Sequence, residues 1–168
     1  MFLIPCLIAL TTLIQEPTHQ TILPSFITST QIYEVPRDTK VTRENLASLP
    51  NAKLVLQPQV ASLSGFEAKL SIGDTIKYPI NEKMTGTAHT GWSIAATSTE
   101  ERDNAIWLIF RLEQSQVTGY FQHRPQISSR SVNTTCVLKS GEKVLVPFGK
   151  GENKTELYAL VTVERNPK

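Results

Sequence analysis

Cysteine is nearly missing from this sequence: 168 residues hold two, Cys6 and Cys136. Cys6 falls in an apolar N-terminal run that reads as a removable leader, which leaves Cys136 alone and excludes a disulfide framework within one chain. Histidine is equally scarce, with three. Neither His89 nor His123 has a second His, a Cys or an acidic residue at ligand or catalytic spacing, so no metal centre and no histidine-based active site is predicted. No serine stands in a Gly-x-Ser-x-Gly setting. Gly149-Lys150-Gly151 lacks the spacing and the strand-to-helix context of a phosphate cradle. Charge of one sign is not concentrated: 17 Lys and Arg face 15 Asp and Glu, and no basic run or aromatic-basic stripe offers a nucleic-acid surface. Nor does any apolar run reach the roughly 20 residues of a membrane-spanning helix. These gaps point away from an enzyme, a cofactor or metal carrier, a nucleic-acid binder and a small-molecule site.

What is present begins with MFLIPCLIALTTLI, apolar and uncharged apart from the terminal amine. Its length suits the core of a secretory signal, so residues 1–15 are expected to be a signal peptide and the protein to be exported. The run has no Lys or Arg ahead of it and no small-x-small cleavage site, and the alternative is a buried N-terminal segment. Residues 16–26 are polar and proline-bearing and read as a linker. A chain of this length makes one domain, expected over 27–163, with 164–168 as a tail.

The domain reads as strands. Ile27, Ile32, Tyr33 and Val35 lead to Pro36 and a turn at Arg37-Asp38. Thr42, Glu44, Leu46 and Leu49 fit one short helix ending before Pro50. Residues 52–73 read as a hairpin: an apolar run at Leu54, Val55 and Leu56, a turn at Ser64-Gly65, then Ala68, Leu70 and Ile72 in alternation. Pro58 cannot donate to a ladder, so its strand is expected at an edge, bent or bulged. Gly73-Asp74 reads as the turn closing the second strand. Ile76 and Tyr78 alternate before Pro79, Gly86 and Gly91 frame a mobile loop, and Trp92, Ile94 and Ala96 resume a strand. In AIWLIFRLE, Ile106, Leu108, Phe110 and Leu112 form one apolar face; the other, starting with Trp107 and Ile109, is covered in a packed sheet, lies against a neighbouring subunit, or faces lipid. Residues 116–130 read as a loop exposing Tyr120 and Phe121. Residues 130–138 form another strand, with Cys136 a small buried residue. Ser140-Gly141-Glu142 turns into KVLVPF, and ELYALVTVE closes the chain. Glu100, Glu101 and Asp103 read as a solvated cluster, and the Asn-x-Thr triplets at Asn133 and Asn153 matter only in a eukaryotic secretory route. The fold class is mainly β, antiparallel, with at least seven strands and one short helix.

Together these motifs resemble the C-terminal module of secretins, the outer-membrane channels of type II and type III secretion and of type IV pili. The likeness starts at ITSTQIYEVPRD and is strongest at NAKLVLQPQVASLSGFEAKLSIGDTIKYP, where Leu54, Pro58, Gly65, Ala68, Ile72, Gly73 and Pro79 fall in the family's order. Thr90-Gly91 before Trp92 and Ile94, Gln126 to Thr135, Ser140 to Val144, and the closing strand follow in order. Large periplasmic modules usually precede this domain in the family; here a short linker does. Phe148-Gly149 and a polar loop stand where the family has a Gly-Gly pair and a segment rich in Pro, Leu and Gly. The resemblance implies a homo-oligomeric ring to which each subunit gives a few strands, in the periplasm or outer membrane of a Gram-negative-type bacterium, alongside other secretion-system proteins. Pro58, Gly65, Gly73 and Gly141 would shape hairpins and turns, and Gly86 and Gly91 would flank a loop facing the lumen. No cofactor is implied. The alternative is a monomeric exported binding or structural module that keeps the fold without the pore.

Overall fold

The computed structural model describes residues 23–151 and 154–166. The expected signal peptide, the linker up to residue 22, Asn153 and the last two residues of the tail lie outside the described residues. Nine strands follow one another: β1 (Ser25–Pro36), β2 (Lys53–Leu56), β3 (Gln59–Leu63), β4 (Glu67–Asn81), β5 (Met84–Glu100), β6 (Ala105–Phe121), β7 (Arg124–Lys139), β8 (Lys143–Lys150) and β9 (Thr155–Arg165). The first strand starts inside the stretch read as linker, and the last runs into the stretch read as tail.

Two antiparallel sheets result. One has the order β2-β1-β9-β8, with β3 also pairing β1; the other is the meander β4-β5-β6-β7. Alternation fixes which faces meet. Phe26 and Ile32 of β1, Val146 and Phe148 of β8 and Ala159, Val161 and Val163 of β9 pack on Ile94, Ala96, Ile106, Leu108, Phe110 and Leu112 of the meander. The even face of β6 is thus the heart of a sandwich core, as its sequence predicts. On the far side of the first sheet, Tyr33, Val35 and Leu160 are covered by the connection between β1 and β2, pinned by fully buried Leu46.

Two local readings change. The helix at 42–49 is a single 3-10 turn, Leu46–Ser48. Thr42 Oγ1 accepts from the Asn45 amide at 3.3 Å and Asn45 Oδ1 accepts from the Thr42 amide at 2.8 Å, which ties the chain just ahead of the turn, but the segment is too short to propagate a helix. The hairpin at 52–73 does not form. β3 pairs with β1 and β4 with β5, so Ser64-Gly65 is a crossover from one sheet to the other. Gly65 adopts φ +79 there, and its amide donates to Ser98 O at 2.9 Å. Ser140-Gly141-Glu142 likewise carries the chain from β7 back to β8 in the first sheet, with Gly141 at φ +81 and its amide on Val163 O at 2.8 Å. Pro58 behaves as its chemistry predicts: it splits one edge strand into β2 and β3, and its carbonyl still accepts from the Thr30 amide at 2.9 Å.

The core holds a few polar atoms. The hydroxyls of Thr28, Thr30, Ser62 and Ser98 are buried with no hydrogen-bond partner among the described residues. Thr30→Val keeps the shape and removes a desolvated hydroxyl, so it is expected to raise unfolding free energy by about 1 kcal/mol. A denaturant midpoint measurement checks this, with Ser29→Ala on the outer side of the same strand as the comparison.

Candidate functional site: a forked sheet with two free edges

The meander is one sheet only in its lower half. Pairing of β5 with β6 ends at Gly91 and Ser115, whereas β4 and β5 stay paired to Asn81 and Met84 and β6 and β7 to Phe121 and Arg124. Above the fork stand two ribbons, the first rising about 25 Å and the second about 20 Å at roughly 3.4 Å per residue, and Ile76, Lys77, Tyr78 and Pro79 of the first line a cavity with Tyr120, Gln122 and His123 of the second. The second turns at Gln122 and His123, both in the left-handed region at φ 47 and 64, as a two-residue hairpin requires. Ile80, Met84, Tyr120 and Phe121 are exposed at or near the ribbon tips.

Two expected turns and loops are therefore strand. Gly73-Asp74 closes nothing: Gly73 lies inside β4, directly opposite Gly91 of β5. A Cβ on Gly73 would meet Thr90 O at 1.8 Å, and one on Gly91 would meet Ile72 O at 2.2 Å with φ at +120. Glycine is needed at both because two backbones come together there. Gly86 and Gly91 do not frame a loop but lie within β5. Gly86 faces Tyr78 across the ladder, and a Cβ would meet the tyrosine ring at 2.6 Å. Residues 116–130 likewise form ribbon and turn, with Tyr120 and Phe121 exposed as read.

A layer of side chains marks the fork, and nothing in the sequence pattern announced it. Trp92, next to Gly91, packs its ring 5.5 Å from that of Phe148 on β8. The Arg130 guanidinium from β7 lies 5.5 Å over the same phenylalanine. Arg130 Nε donates to Gln114 Oε1 of β6 at 2.7 Å, and its Nη1 donates to the Lys150 carbonyl. Residues of β5, β6, β7 and β8 thus meet at the top of the sandwich. Arg130 holds them through a cation–π contact and charge-assisted hydrogen bonds.

Chemistry is sparse. His89 Nδ1 lies 3.0 Å from Thr75 Oγ1 on the outer side of the fork, and no group of His, Cys, Asp or Glu able to hold a metal occurs among the described residues. Burial pushes the Cys136 thiol up, with the Glu142 charge a lesser cause. What stands out is unused surface. The edges of the forked sheet, β4 and β7, are 15 and 16 residues long and pair with no further strand among the described residues. On its outer face Trp107, Ile109 and Val137 are exposed, so within one subunit the second face of β6 is uncovered.

Such a two-layer sheet with forked hairpins defines a class. The Secretin family model, described as "Bacterial type II and III secretion system protein", matches residues 45–147, more than half of the 168. The chain belongs to the secretin family. Among solved structures it resembles the type II secretin GspD from enteropathogenic Escherichia coli, with 12% identity over 87% of this chain and 67% of that one at a TM-score of 0.51. The secretin-domain β-barrel of InvG from the Salmonella SPI-1 injectisome matches at 11% identity over 87% and 62%, TM-score 0.51. The type II secretin XcpQ from Pseudomonas aeruginosa matches at 11% identity over 86% and 59%, TM-score 0.52. At these identities the likeness is one of fold. The chain spans 59 to 67% of those three structures. No curated protein sequence matches.

The glycines separate by cost. Gly65→Ala and Gly141→Ala meet open space at positive φ and should each cost about 1–2 kcal/mol. Gly91→Ala meets backbone and should cost about 3 kcal/mol. Thermal unfolding of the three variants checks the order, and equal shifts would contradict it. Arg130→Met keeps the aliphatic stem and loses the layer's polar bonds. It should cost about 2 kcal/mol in the same measurement.

Proposed function

We propose that this secretin-family chain is one subunit of a homo-oligomeric ring forming the wall of a protein-transport channel in a bacterial outer membrane. The observation that carries this reading is the pair of long, unpaired edges on opposite sides of the forked sheet. Such edges are sites of uncontrolled pairing unless something covers them, and closure into a barrel removes them. The meander has an even number of strands, so β7 of one copy meets β4 of the next running the opposite way. Antiparallel pairing then continues around the ring without a break.

The ribbons give such a ring its working parts. The ribbon of β4 and β5 is released from β6 beyond Gly91 and above that point meets the tip of the other ribbon. It is the element free to stand across the lumen, which gives Gly86 and Gly91 a lumen-facing place on a strand. The tip of the other ribbon presents Tyr120 and Phe121 beside Arg124, the mixture of aromatic and cationic side chains that suits the boundary between bilayer and water. Other secretion-system proteins are the expected company, as the structures of InvG with PrgH and PrgK in the injectisome basal body and of GspD with the pilotin AspS suggest.

Light scattering behind a sizing column, on native protein extracted in mild detergent, tests the reading. A large and uniform ring is expected. A clean monomer in the soluble fraction would overturn it and leave an exported module that keeps the fold alone.

A further inference from the structure

We infer that the cleft between the two ribbon tips is a binding site for an anionic saccharide. The cleft lies wholly within one subunit and does not require the ring.

Its cavity, lined by residues 76–79 of β4 and by Tyr120, Gln122 and His123 of the second ribbon, measures about 640 Å³. Small-ligand sites span roughly 300–1,000 Å³. Two tyrosines, one from each ribbon, supply aromatic surface. Tyr78 is half-buried and seated: its ring crosses the bare backbone of Gly86, where an added Cβ would meet Cζ at 2.6 Å, Cε2 at 2.7 Å and Oη at 2.9 Å. Gly86 is itself buried. Glycine there lets the ring lie down on the strand, so this part of the site is set before any ligand arrives. Tyr120 is exposed and stands just ahead of the left-handed turn at Gln122 and His123. The face of such a ring carries partial negative charge and attracts the C–H groups of a sugar.

The polar groups around the rings are unused. Lys77, Tyr78, Tyr120, Gln122 and His123 make no side-chain hydrogen bond or ion pair with any described residue. In the recess on the outer side of the fork, by contrast, Thr75 and His89 satisfy one another. Beneath the second ribbon, Arg130 is committed to Gln114 and Lys150. Sugar hydroxyls donate and accept at once, which suits the Gln122 amide, the His123 imidazole and the two phenols.

Charge narrows the class. No Asp or Glu lines the cleft; Asp74 faces the outer recess and Glu82 belongs to the turn beyond Asn81. Lys77 is therefore an uncompensated cation, and a carboxylate or phosphate on the saccharide would meet it. Other ligands fit less well. A hydrocarbon chain would bury the five polar groups without partners. An extended peptide needs a ladder, but Pro79 has no N–H and the opposite wall is a two-residue turn. A nucleic-acid strand needs a basic groove along its backbone, and the cleft offers one lysine.

Isothermal titration of the full chain in mild detergent tests this, with a galacturonic acid tetramer as the acidic probe and a glucose tetramer as the neutral one. The acidic probe is expected to bind about tenfold more tightly, and added salt to narrow the gap. Tyr120→Leu and Lys77→Gln should each weaken its binding about tenfold, while Tyr120→Trp, which keeps a stacking face, stays within about twofold of the native protein. Phe121→Leu, at the same tip but outside the cleft, should change nothing. All three side chains are exposed, and an unchanged unfolding temperature checks that the variants fold. The same sugar acid carried as a glycolipid headgroup in phosphatidylcholine vesicles separates the two sources: tighter binding to the vesicles assigns a lipid-borne saccharide, equal or weaker binding a free one. No binding of either form would overturn the inference. So would equal weakening by Phe121→Leu, or equal affinity for a tetraglutamate peptide or a single-stranded DNA tetramer. A ring by light scattering that ignores the acidic probe overturns this site while the channel reading stands; a monomer that binds it does the reverse.

Discussion

Every open sheet must place the N–H and C=O groups of its two edges, and the arrangement of this molecule depends on how the four edges are treated. Proline is distributed accordingly. Pro58 interrupts one edge of the first sheet and Pro147 blocks the other, while Pro79 and Pro125 stand near the far ends of β4 and β7. Of the four interior strands, β5, β6 and β9 contain none, and β1 has one only at its last residue, Pro36. A residue without an N–H removes one rung of any new ladder. The first sheet is therefore closed to extension along its length, and the forked sheet keeps most of both edges available.

Alternation made the strands legible, and it also made the connections misleading. Ala68, Leu70 and Ile72 alternate as a strand must, and Ile106, Leu108, Phe110 and Leu112 are the core face that their spacing implies. The turn chemistry of Ser64-Gly65 was equally plain, but a left-handed glycine between two strands looks the same locally whether the strands pair or part. Only the long-range partners, β1 for β3 and β5 for β4, distinguish a hairpin from a crossover. The same limit explains Gly73, Gly86 and Gly91. Read singly, each is a turn residue; read with its partner across the ladder, each is a place where a side chain has no room. The Arg130 layer was not legible at all, because it draws on four strands at once. The edge prolines were present in the sequence and would have pointed to β4 and β7 had their positions been compared with the proline-free strands.

Stability is unevenly shared between the two halves. Below the fork the residues at 0% exposure, such as Leu108, Phe110, Leu112, Ala159 and Val161, tie both sheets into one core. Above it each ribbon is two-stranded, and an isolated two-stranded ribbon is marginal in water. Tyr78 over Gly86 supplies one cross-strand contact, but nothing there compares with the core below. The layer of Trp92, Phe148 and Arg130 stops the sandwich from unravelling upward. It is also where β5 parts from β6, while β4 and the tip of the other ribbon stay side by side above it.

This unevenness bears on how a chain of this size could line a wide passage. A sandwich that buried all of its apolar surface and capped all of its edges would be complete alone, and its ribbons would gain nothing by projecting. Here the self-sufficient part is confined to the base, the outer face of the sheet leaves Trp107, Ile109 and Val137 uncovered, and both long edges remain open. Each added neighbour would supply backbone partners to an open edge. The cost of leaving an edge unpaired in the monomer would then be a driving force for assembly.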